Sequence, residues 1–196
     1  MAAENDTERD VGSVLFVDVL VERVSAPETF ELRWRVLRLH QRLEEVTLQG
    51  DKDPETAFYV ARDATSGNVI ATGSVQREAP PWEPHARQGC DHAGPDGHLD
   101  VPLEARLTAG NKASAWRLRA MATEDGFRGL GLGRQVLDAI VDHVAAAGGG
   151  LLWCGARIRA TAFYERAGFS TVGDVYEEPY VGAHVLMWRS VVASTP

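Results

Sequence analysis

The chain has 196 residues, 44% hydrophobic and 24% charged, which describes one soluble globular domain able to bury a real core. Its 20 basic against 28 acidic residues leave a formal net charge of -8, which argues against non-specific nucleic-acid binding and mildly favours cationic small partners. No apolar run approaches the ~18 residues of a membrane span, the acidic start carries no secretory signal, and two cysteines make no disulfide framework, so a cytoplasmic protein with neither membrane nor nucleic-acid partners is expected.

Residues 1–12 read as a flexible arm, and residues 13–196 as a single domain. VLFVDVLV, residues 14–21, is β-branched and apolar and predicts a first strand. Ser25-Ala26-Pro27-Glu28 is a capping box with proline in the first turn. Leu32, Val36, Leu39 and Leu43 follow at helical spacing, so the pattern predicts a helix of about four turns. AFYVAR and NVIATGSV flank DATSG as a hairpin. Residues 77–113 then lose all periodicity and read as a long irregular loop, which in a compact domain is usually functional or disordered.

Regular structure returns with SAWRLRAMAT, a strand whose alternation puts Trp116, Leu118, Ala120 and Ala122 on one side. FRGLGLGR comes next, then a helix marked by Leu132, Val136, Leu137, Ile140, Val141 and Val144 with Asp138 and Asp142 outside. LLWC is a short interior strand, residues 160–167 a helix stopped by Gly168, and residues 169–173 and 183–191 closing strands. The order is mixed α/β, with helices crossing between strands.

Three alternating glycines before an amphipathic helix suggest an anion on its first turn. The Walker A pattern fails, because Leu132 follows Gly131 where lysine is required. The dinucleotide fingerprint fails as well, with Val136 in place of its last glycine. Arg128-Gly129-Leu130-Gly131-Leu132-Gly133 does match R/Q-x-x-G-x-G/A, and here the chain resembles the GNAT superfamily of acyl-CoA-dependent N-acetyltransferases. The resemblance covers about residues 114–190. LRAMATEDGFRGLGLGRQVLDAIVDHV is similar to that family's strand, pyrophosphate loop and helix, and ATAFYERAGF to its A-x-x-x-Y-x-x-x-G-F element.

The resemblance implies a single mixed, mostly antiparallel twisted sheet flanked by helices, splayed between the cofactor strand and the strand after it. It implies acetyl-CoA as co-substrate, with no metal. Pyrophosphate wants several converging amides, which residues Gly129, Leu130, Gly131, Leu132, Gly133 and Arg134 supply with the helix dipole behind them. Arg128 would orient the loop or touch phosphate, while Met121, Ala122 and Thr123 would meet the pantetheine arm through their backbone. One departure is Gly155, since many members carry asparagine shortly after this interior strand.

Acetyl transfer needs a neutral amine, a donor to the oxyanion and a proton for the leaving thiolate. Tyr164 matches the family's thiolate-protonating tyrosine; its bland alternative is a ring packed beside Phe163 and Phe169. His184, within VGAHVLM, and Glu124, after the cofactor strand, are the candidate bases, with Glu44 and Glu45 third. His85, Cys90, His92 and His98 have metal-ligand chemistry but no recognised spacing, so the loop is read as acceptor-gating or plain surface. Trp82 is either a lid or a clamp holding that loop to the body.

The expected partner is a small-molecule or peptide amine, with acid-rich composition hinting at cationic acceptors, and such domains often form homodimers. Two rivals share the pattern: a non-catalytic acyl-CoA-binding sensor, and an interaction protein whose glycine turn stays empty.

Overall fold

In a computed structural model, residues 18–82 and 114–195 are described. The expected N-terminal arm, the first part of the predicted first strand and most of the irregular loop, with His85, Cys90, His92 and His98, lie outside them. Seven strands form one sheet in the order β1-β2-β3-β4-β5-β7-β6. They are β1 (Val19–Val24), β2 (Ala57–Asp63), β3 (Val69–Arg77), β4 (Ala115–Thr123), β5 (Gly150–Arg157), β6 (Ser170–Glu178) and β7 (Gly182–Val191). Every pairing is antiparallel except β4 with β5. The helices are α1 (Ala26–Leu37), α2 (Leu132–Ala146) and α3 (Thr161–Arg166). The element order and the mixed sheet are those expected from the sequence.

α1 starts where the capping box puts it, with Glu28 Oε1 accepting from the Ser25 amide at 3.0 Å. It stops after 12 residues, short of the four turns its spacing suggested. Leu39 and Leu43 are therefore 70% and 41% exposed, not part of an apolar stripe. What ends the helix is the next segment folding back beneath it. The Arg33 guanidinium, on the buried side of α1, donates to the Val46 carbonyl and to Asp51 at 3.1 and 3.0 Å. Satisfying that buried cation requires the chain to reverse soon after Leu37.

α2 lies on one face of the sheet. Its Val136, Leu137, Ile140 and Val144 bury with Ala57, Ala61, Val75, Trp116 and Leu118 in the main core. α1 packs against β3 and β4 and contributes nothing to that core, so it covers the other face. A smaller core holds Trp82, Ala115, Trp153, Leu186 and Trp188. Trp82, 6% exposed and edge-on to Trp153, is thus packed into the body of the domain.

Two irregularities shape the centre. β3 and β4 shift register between Thr72 and Ser74, which pair with Ala122 and Arg119 respectively. One residue of β3 therefore faces two of β4, a bulge, and Ala120 sits there with φ 54°. The bulge resets the alternation. Met121, not Ala120 and Ala122, continues the face of Trp116 and Leu118, in space left by Gly73 opposite Ile140 and Val136. The second irregularity is a splay: β4 and β5 pair only through Ala115, Arg117 and the residue between them. Beyond that the strands diverge.

Candidate active site

The wedge between β4 and β5 opens into two adjoining cavities. The larger, about 860 Å³, is bounded by the end of β4, the FRGLGLGR loop, α3 and the end of α1. Apart from Leu130, whose side chain is exposed, every cofactor residue expected from the sequence lines it. The smaller, about 190 Å³, lies between α1, β4, β5 and β7. Leu37, Met121, Arg157, Ala160 and Tyr164 border both, so the cavities meet there.

The loop is an amide cradle. Gly129 and Gly131 have φ of 80° and 83°, conformations costing an L-residue ~1–2 kcal/mol each. A Cβ on either would meet nothing, so their backbone conformation, not crowding, calls for glycine. Gly133 differs: a Cβ there would sit 3.1 Å from Thr123 Oγ1, so its role is close packing of α2 on β4. The first intrahelical donors are Arg134 and Gln135, both bonding to the Gly131 carbonyl. Among the described residues, the amides of 129–133 have no acceptor. Five free donors at a helix start suit a pyrophosphate, and the dipole of α2 reinforces them.

The flanking arginines have separate tasks. Arg128 pairs with Asp125 and donates to the Thr123 carbonyl at 3.4 Å, which fixes the loop to the end of β4. Arg134 grips Asp138 at 2.8 and 3.0 Å and donates to the Arg166 carbonyl, tying α2 to α3. Arg157, Arg159 and Arg166 also border the larger cavity and make it electropositive. The sequence reading did not pick out these three.

Tyr164 stands at the junction. It is 7% exposed, and its ring meets Phe163 and Phe169 edge-on at 5.0 and 5.5 Å. The packing that was its bland alternative is therefore present, yet the side chain also borders both cavities. Burial, with Cys154 beside it, holds the phenol well above its ordinary range, so it keeps its proton. Cys154 is a buried free thiol, itself pushed up by burial.

His184 is 8% exposed and borders the smaller cavity. Its Nδ1 lies 2.7 Å from the Gly182 carbonyl. A carbonyl only accepts, so Nδ1 carries a hydrogen, and in the neutral ring the lone pair is on Nε2. Tyr176, across the strand pair, approaches the His184 ring at 5.9 Å, and burial pushes its phenol up to about 12. Gly155, the departure noted in the sequence, makes room for it: a Cβ would come within 2.5 Å of the Tyr176 hydroxyl.

Glu124 does not join them. Its carboxylate pairs with Arg35 of α1, and it borders neither cavity. Glu44 and Glu45 lie in a short 3-10 turn, with Glu45 bound to Arg42, also away from both cavities. No cluster of metal-ligating side chains occurs among the described residues.

The sheet order, the splay and the free-amide turn define an acyltransferase fold, and the comparisons make the class specific. The acetyltransferase (GNAT) domain pattern matches residues 54–171, more than half of the chain. A curated relative, the uncharacterized N-acetyltransferase YitI of Bacillus subtilis (strain 168), is 26% identical over 174 residues, 89% of this chain and 97% of its own. The ribosomal-protein-S18-alanine N-acetyltransferase of Escherichia coli superposes with TM-score 0.59 at 14% identity, covering 91% of this chain and 97% of that one. An aminoglycoside 6'-N-acetyltransferase solved with coenzyme A superposes with TM-score 0.54 at 12% identity, over 90% and 99%. The chain belongs to the GNAT acetyltransferase family.

Proposed function

We propose that this acetyltransferase moves an acetyl group from acetyl-CoA to an amine by direct attack, both substrates being bound together. The observation carrying the reading is the run of free amides at residues 129–133, four of whose residues border a cavity that adjoins a second one at Tyr164. Acetyl-CoA would supply the activated thioester, and the residues present fit it: the amides of 129–133 for pyrophosphate, and Met121, Ala122 and Thr123 beside the pantetheine arm.

The chain's own groups then manage protons. An ammonium with a pKa near ~10 is neutral in about one molecule per thousand at pH 7, so a base is needed. His184, which borders the smaller cavity, serves as that base through Nε2 of its neutral ring, and Tyr164 holds a proton for the departing thiolate. Glu124, bound to Arg35, is a positioning residue that ties the end of β4 to α1. The test is release of free thiol from acetyl-CoA across a panel of amines. Amine-dependent release supports the reading; acetyl-CoA binding without release by any amine makes the protein a sensor.

A further inference from the structure

The smaller cavity is cationic, although the whole chain is acidic. Five arginines border it, Arg33, Arg38, Arg117, Arg119 and Arg157, against one acidic residue, Glu178. Asp51 neutralises Arg33 and Glu78 neutralises Arg117. The other three pair with no carboxylate among the described residues. Among the described residues, Arg119 donates only to the Gln49 carbonyl, at 2.6 Å, and Arg157 only to the Leu37 carbonyl, at 3.2 Å. Burial and the neighbouring Arg117 lower the Arg119 guanidinium to about 10, and burial with Arg159 and Arg38 lowers Arg157.

A lone amine would enter this cavity as a cation among cations. A ligand bringing its own anion would instead meet unspent guanidinium forks, which match carboxylate oxygens well. The cavity, about 190 Å³, suits a small ligand that carries anion and amine in one molecule. We infer that the acceptor is a small amine that also carries a carboxylate, an amino acid or close analogue, its carboxylate held by Arg119 with Arg38 and Arg157 while its amine faces His184. The same arginines disfavour the ammonium form, which assists deprotonation before attack. No new bond beyond the proposed transfer is involved: the amine nitrogen gains the acetyl group and loses a proton, and the thiol leaves protonated. This inference rests on the acetyl-transfer reading.

The test is thermal unfolding of the full chain with saturating coenzyme A. N-acetylated amino acids from N-acetylglycine to N-acetyl-L-glutamate are titrated in, beside their carboxamides and N-acetylspermidine. The carboxylates should raise the unfolding temperature while the carboxamides and the polyamine do not. Arg119→Gln should weaken carboxylate binding by about thirtyfold or more, and Arg119→Lys should recover part of it. Coenzyme A stabilisation in both variants shows that they fold. The inference is overturned if no carboxylate stabilises, if carboxamides match the acids, or if Arg119→Gln binds the acids as the parent does. If coenzyme A itself fails to stabilise, the acetyl-transfer reading falls, and the same titration without it still reads the cavity.

Discussion

Tyr164 combines two demands that usually conflict. Its ring fills core space between Phe163 and Phe169, while its hydroxyl makes no hydrogen bond to any described residue and stays protonated. Tyr164→Phe should therefore leave stability within about 1 kcal/mol and acetyl-CoA binding intact, while lowering kcat by about a hundredfold. Turnover and unfolding measured on the same preparation check it; unchanged kcat would leave Tyr164 a packing residue. At Gly131 the conformation is the requirement, so Gly131→Ala should cost about 1–2 kcal/mol, readable in denaturant titration. Such residues were legible because backbone demands and the Y-x-x-x-G-F element leave local marks. The arginines of the smaller cavity left a fainter one. In WRLRAM, Arg117 and Arg119 alternate with the core residues Trp116 and Leu118, so a central strand carries two cations on its other face, a signal the apolar pattern overshadowed.

Among elements, α1 and the segment after it were the least legible. Leu39 and Leu43 keep helical spacing, but the tertiary need to satisfy Arg33 ends the helix earlier. Arg33 and Asp51 are 1% and 4% exposed, a buried pair that holds the wall of the smaller cavity to α1. Asp51→Asn would leave the guanidinium without its charge partner and should destabilise by about 3 kcal/mol, measured by chemical unfolding. α2 carries a titration of its own. His143 faces Tyr59 and Trp116, and burial, with Arg23 and Arg77 nearby, lowers its pKa below the ordinary 6.5. With the folded value depressed, the unfolded chain takes up the proton first. Stability is thus intact above about pH 6.5 and falls as pH drops toward the folded value. Unfolding temperature should decline less steeply over that window in His143→Gln than in the parent. The bulge at Ala120 escaped the sequence reading for a related reason: strict alternation fits WRLRAMAT, and only pairing with β3 shows where it breaks.

Across the whole molecule, the net charge of -8 pointed toward a cationic acceptor, yet the cavity beside the proposed base is lined by arginines. A global sum says little about a field set by groups a few ångströms away. The proposed cofactor half of the wedge left local marks in the sequence because it is built from contiguous backbone: a strand, a glycine turn and a helix start. The proposed acceptor half is assembled from α1, β4, β5 and β7, whose side chains meet only after the sheet forms and splays.

Both halves depend on the amides of 129–133 receiving coenzyme A. The direct measurement is unfolding temperature with and without acetyl-CoA, for the parent and for Gly131→Glu, which places a carboxylate at the cradle. The account predicts stabilisation of the parent, about 2.7 kcal/mol at one hundred times the dissociation constant, and little in the variant. Equal stabilisation of the two would place the coenzyme elsewhere, and no stabilisation of the parent at millimolar acetyl-CoA would contradict the account.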